Sequence, residues 1–136
     1  MLKAFIALVI IFCINIPSMY YGWYLQWSWF DVALHFLGGF FVAMLLWNFF
    51  QKYVGTTKLA NLVIVCGLTA LVGIFWELAE YTANQTLVEP FYRWFEIRAY
   101  FIGDLRDTLF DLAMDISGGA VYYFLHLLRR RNSHQV

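Results

Sequence analysis

The sequence predicts an all-α integral membrane protein, a four-helix bundle with an additional interfacial amphipathic segment. Three observations predict it. Of 136 residues, 62% are hydrophobic and only 13% charged, against roughly 45–50% and 25% in a soluble domain. Four apolar stretches, about 4–25, 32–50, 59–80 and 108–128, each come close to the roughly 20 residues a helix needs to cross the bilayer core. The breaks between them are short and polar, except for one long aromatic connection before the last stretch. One transmembrane domain over residues 1–136 accounts for the length.

The first stretch begins with Lys3 and an apolar run, as a secretory signal does, but "NIPSMYYGWYLQW" offers large aromatics where a small-x-small cleavage site belongs. It is therefore expected to stay as the first span. The second follows "QWSWFD", and the third follows "QKYVGTTK". Between the third and fourth, the segment from about 89 to 103 holds Phe91, Tyr92, Trp94, Phe95, Tyr100 and Phe101. It is too short to span, so it is expected to lie at the outer interface as an amphipathic or re-entrant piece, anchoring the bundle or meeting lipid. Cys13 and Cys66 sit in apolar runs, where a thiol behaves as a small hydrophobe.

Lys3, Lys52, Lys58 and Arg129 to Arg131 fall on the side of the termini, and Arg93, Arg98 and Arg106 on the other. Basic loops stay inside, so both termini are expected in the cytoplasm of a multi-pass inner (plasma) membrane protein. The terminal arginines anchor this topology or meet anionic headgroups. A formal net charge of zero excludes a nucleic-acid partner, because no basic field is available to neutralise phosphates.

The acids are ordered. Asp31 and His35 open the second span, Glu77 and Glu80 close the third, and Asp104, Asp107, Asp111 and Asp115 lead into the fourth. Antiparallel spans bring these ends to the same, outer side. Spacings of three and four residues stack each set on one helical face, and such faces turn away from lipid. An Asp at a helix centre costs about 2.5–3.5 kcal/mol, so Asp111 and Asp115 together nearly cancel the roughly 3–5 kcal/mol gained from the nine Leu, Ile, Phe and Val residues of 108–128. The fourth span therefore needs partners for its acids.

Arg93, Arg98 and Arg106 are too few to pair with this many carboxylates, so protons, water or a metal must neutralise the remainder. Oxygen ligands with one imidazole suit Mg²⁺, Mn²⁺ or Ca²⁺, and Zn²⁺ if His35 binds. The candidate ligands are Asp31, His35, Glu77, Glu80, Asp107, Asp111 and Asp115, with His35, Glu77 and Asp111 as catalytic candidates; no organic cofactor is indicated. The plainer readings make Asp31 and Asp107 helix caps and Glu80 a solvated helix end. Gly38-Gly39 and Gly118-Gly119 would let the second and fourth spans approach closely beside the acids.

"DVALHFLGGF", "WELAEY" and "DTLFDLAMDISGG" resemble, in order and spacing, the signature blocks of VanZ-like and YjdF-like bacterial membrane proteins over roughly residues 31–123. The resemblance implies a small polytopic inner-membrane protein of the cell envelope, VanZ being associated with glycopeptide resistance. The matched polar positions are Asp31, His35, Glu77, Glu80, Asp107, Asp111 and Asp115. Val32 stands where VanZ-like chains often have Lys, and Asp115 where they often have Asn, so this site is the more acidic one.

Three functions compete. A metal held by the acids could polarise a lipid-linked phosphate or ester for hydrolysis, with a carboxylate or His35 as general base; no serine or cysteine nucleophile stands in register with His35. Buried acids could instead bind protons or cations in transport or sensing, which four helices would serve as a homo-oligomer. In the third, a structural accessory role, the acids pair with Arg98, Arg106 and lipid amines.

Overall fold

The computed structural model describes residues 1–55, 57–96, 99, 101 and 104–133, and these are helical with no strand among them. The helices are α1 (Leu2–Tyr21), the single turn α2 (Trp23–Gln26), α3 (Ser28–Phe50), α4 (Lys58–Thr86), α5 (Val88–Phe95) and α6 (Leu105–Ser133).

Local chemistry moves the expected boundaries. α1 stops short of residue 25 because Gly22 takes the left-handed conformation (φ 64°) and its N–H bonds the Ser18 carbonyl, a helix end that glycine adopts without a Cβ penalty. α4 runs past residue 80 to Thr86. Thr82 and Thr86 return their hydroxyls to the carbonyls four residues back, at 2.8 and 2.7 Å. α6 starts at Leu105 because Asp104 caps it: its Oδ1 accepts the N–H groups of Arg106 and Asp107 at 2.9 and 3.0 Å. Neither plainer reading of Asp31 and Asp107 as caps therefore holds. Asp31 lies inside the first turn of α3, with Trp27 at the cap position, and Asp107 lies inside the first turn of α6.

Two helical segments, Trp29–Phe50 and Lys58–Thr86, are long and apolar enough to cross a membrane. α1 carries a shorter apolar run, Leu2–Ser18, and α6 is interrupted by Asp111, Asp115 and His126. The molecule is inside-out relative to a soluble fold. Phe5, Phe12, Val63, Phe75, Phe110 and Phe124 all point outward, whereas among the described residues the eight buried polar side chains equal the buried apolar ones in number. Apolar solvent outside and polar partners within explain that reversal.

α3 and α6 form the central pair, and α4 packs across both. The pair is close because Gly39 and Gly118 bear no side chain: a Cβ on Gly39 would fall 2.6 Å from the Asp115 Cα, and one on Gly118 would fall 2.8 Å from the Phe40 nitrogen. At the far end Trp47 Nε1 donates to His126 Nε2 at 3.1 Å and the Tyr123 hydroxyl donates to the Lys58 carbonyl at 3.2 Å. The ends of α3 and α6 and the start of α4 thus meet at a basic pole, and the acids gather at the opposite one.

α5 is the amphipathic segment expected near 89–103. None of its residues is buried, and Trp94 and Phe95 are open on its surface. Residues 97, 98, 100, 102 and 103 of that expected segment lie outside the described residues.

Candidate functional site

His35 is the centre of the site. It lies seven residues into α3, roughly 10 Å from the helix start, and is 7% exposed. Its Nε2 faces three carboxylates from three helices: Asp31 Oδ1 at 3.7 Å, Glu77 Oε1 at 3.9 Å and Asp111 Oδ2 at 4.0 Å. Its Nδ1 faces Asp115 Oδ2 at 3.5 Å. The i, i+4 spacing puts Asp31 and His35 on one stripe of α3, and likewise Asp111 and Asp115 on α6.

The two ring nitrogens therefore have different work. With Nδ1–H donated to Asp115 and a cation bound, the Nε2 lone pair would face that cation among Asp31, Glu77 and Asp111; without one, an Nε2–H would face the same carboxylates. Glu77 is 6% exposed, and its Oε1 has no hydrogen-bond partner among the described residues. A buried carboxylate oxygen left bare is costly, and it points at the same space as Nε2. Glu80 completes the group: its Oε1 accepts from Trp76 Nε1 at 2.8 Å, and one ligand atom from each of His35, Glu77 and Glu80 lies within 4.8 Å of the others, as for Asp31, His35 and Asp111.

Six of the seven expected ligands thus converge. Asp107 is exposed and stands apart from the carboxylates within 4.0 Å of His35. Of the three arginines expected nearby, neither of the two described ones pairs with these carboxylates. Arg93 pairs with Glu89 at 3.1 Å on the open face of α5, Arg106 is exposed, and Arg98 lies outside the described residues. Among the described residues, His35 is the only basic group within 4.0 Å of these carboxylates.

The small residues around the site allow this convergence. A Cβ on Gly73 would lie 3.2 Å from the Asp115 Cγ and 3.0 Å from Leu112, so α4 must carry glycine where Asp115 passes. Gly119 abuts Thr69 in the same way one turn deeper.

Four contributors escaped the sequence reading: Asn15 and Ser18 on α1, Tyr24 on α2, and Trp76 on α4. Ser18 Oγ donates to the Asn15 carbonyl at 2.7 Å, and the Tyr24 hydroxyl donates to Asn15 Oδ1. Asn15 and Tyr24 share a cavity of about 310 Å³ with Asp31, His35 and Asp115. Asn15 and Ser18 are three apart in an otherwise apolar run, a polar pair on one face that could have been noticed.

A buried carboxylate–imidazole centre inside an all-helical bundle with apolar outer faces defines a membrane protein with an internal polar site. Residues 1–132 match the family described as "Predicted membrane protein (DUF2238)", and the chain belongs to that family. Neither a curated protein nor a solved structure matches it.

Proposed function

We propose that the chain is a multi-pass protein of the plasma membrane whose α1, α3, α4 and α6 all span the bilayer, and whose His35 centre binds one divalent cation in the extracytoplasmic half. The observation that carries this reading is the disposition of His35: one nitrogen facing Asp115, the other opposed by three carboxylates, one of which has an oxygen without a hydrogen-bond partner among the described residues. Ligands about 2.1 Å from a tetrahedral metal stand about 3.4 Å apart. The carboxylate oxygens stand 3.7–4.0 Å from Nε2 and need only a few tenths of an ångström of closure toward it, and either Asp31 with Asp111 or Glu77 with Glu80 supplies two oxygens within 4.8 Å of His35 and of each other. The cation also offsets the cost of burying Asp111 and Asp115, about 2.5–3.5 kcal/mol each at full depth.

The basic pole at Lys58 and Arg129 to Arg131 supports cytoplasmic termini. Among the described residues the buried ionisable side chains His35, Glu77, Asp111 and Asp115 fall in the blocks 31–40, 76–81 and 107–119, which supports the closer kinship with VanZ-like and YjdF-like chains. A bound cation would supply Lewis acidity toward a lipid-linked ester or phosphate, with Glu77 placed as general base beside it.

Elemental analysis of the purified protein tests this. One equivalent of metal, lost in His35→Ala and Asp111→Asn but kept in Asp107→Asn, is the expected result. A metal-free protein whose stability is unchanged in Asp111→Asn would leave the structural accessory role instead.

A further inference from the structure

The cavity beside the site has two unlike ends. Leu8, Ile11 and Phe12 of α1, Val42 of α3 and Val72 of α4 line it with Thr69, and Asn15, Tyr24, Asp31, His35, Glu80 and Asp115 line it toward the end of the bundle where α3 starts and α4 ends. Its volume, about 310 Å³, is at the small end of ligand pockets, roughly 300–1,000 Å³, which suits one chain and not two.

The cavity also has a side. α1 packs against α3, but among the described residues no Cα of α1 comes within 8 Å of a Cα of α4. The edge-to-face pair Phe12–Trp76, centroids 6.1 Å apart, bridges that gap, and Val72 next to it is 40% exposed. Trp76 is at once the gap's aromatic and the donor to Glu80, so the apolar opening and the acidic end share a residue. In a bilayer this opening faces acyl chains.

Charge selects the head. Among the described residues no lysine or arginine lines the cavity, while Asp31, Glu80 and Asp115 do. The formal charge of the five acids Asp31, Glu77, Glu80, Asp111 and Asp115 exceeds that of one divalent cation, so away from the metal this end offers carboxyl oxygens and no fixed positive charge. A phosphate alone would meet like charge there. An ammonium would meet carboxylates, with the Asn15 and Tyr24 polar pair beside them.

We propose that this cavity is a slot for one hydrocarbon chain of a lipid bearing a primary ammonium, admitted sideways between α1 and α4 with its head at Asp31 and Glu80. It takes the membrane placement from the function proposed above and does not require the metal.

The test measures binding of hexadecylamine, hexadecyl phosphate and hexadecanol to the full chain in nanodiscs by competition with a fluorescent alkylamine. Hexadecylamine should bind about tenfold or more tightly than hexadecyl phosphate. Val72→Trp, which fills the slot from a partly exposed position, should weaken all three probes, and Ile11→Trp from the α1 side should do the same. Glu80→Gln should keep the chain affinity and lose most of the preference for the amine. Equal binding of amine and phosphate, or binding untouched by either tryptophan, overturns the proposal. Metal content on the same samples separates the two readings: wild-type protein that keeps its metal but prefers hexadecyl phosphate defeats the slot alone, and metal-free protein with the amine preference intact defeats the cation site alone.

Discussion

Asp115→Asn is the sharpest perturbation of the site, because it changes one oxygen for an amide without changing volume. Asp115 Oδ2 faces Nδ1 of His35 at 3.5 Å, on the side of the ring away from Asp31, Glu77 and Asp111. In the proposed cation site it would hold the tautomer and the ring angle, and loss of such a partner costs about 10–100-fold in metal affinity. The contact is long for a hydrogen bond, so the effect belongs at the low end, about tenfold, or about 1.4 kcal/mol. Asp111→Asn removes a carboxylate that faces Nε2 and should cost more; Asp107→Asn, exposed and outside the carboxylates within 4.0 Å of His35, should cost least. Competition with a chelator of known affinity, read as metal retained by detergent-purified protein, ranks the three variants. The reasoning is refuted if Asp115→Asn loses as much metal as Asp111→Asn, or if Asp107→Asn loses more than Asp115→Asn.

Other outcomes follow from the same geometry. Gly118→Ala places a Cβ 2.8 Å from the Phe40 nitrogen and should lower thermal stability in detergent by about 1–3 kcal/mol, whereas Gly67→Ala, with nothing within 4 Å of the added carbon, should be neutral or slightly stabilising. Arg93→Ala breaks only an exposed pair with Glu89 and should change stability by no more than about 0.5 kcal/mol; a loss of metal in this variant would contradict the isolation of Arg93 from the site. Acidification from about pH 8 to 5 should release the metal, because the cation competes with protons for His35 and the carboxylates. Affinity that rises as pH falls would exclude these ligands. Trp76→Phe keeps the ring against Phe12 but removes the donor to Glu80, and should change the amine preference of the slot more than its affinity for hexadecanol.

The helices and the acid cluster were legible because both are periodic. Asp31 with His35, Glu77 with Glu80, and Asp111 with Asp115 declare shared faces by spacing alone, and burial cost turns those faces inward. What spacing does not encode is which atoms meet. Asp107 shares the stripe of Asp111, yet lies exposed in the first turn of α6, outside the carboxylates within 4.0 Å of His35, a difference of depth that periodicity does not encode. The arginines were counted as partners from proximity in sequence, but Arg93 turns to Glu89 one turn away on its own short helix. Asn15 and Tyr24 were missed because their link crosses the break at Gly22, which an uninterrupted span from 4 to 25 conceals. The pairing of Gly73 with Asp115 likewise joins two helices through a contact that neither helix's own pattern reveals.

X-ray absorption of the zinc-loaded protein reads the ligands of the proposed His35 centre atom by atom. One imidazole nitrogen with a shell of carboxylate oxygens near 2.0–2.2 Å is the spectrum the His35 centre predicts, with the imidazole scattering gone in His35→Ala. A sulfur shell, or an imidazole signal that survives His35→Ala, would contradict it.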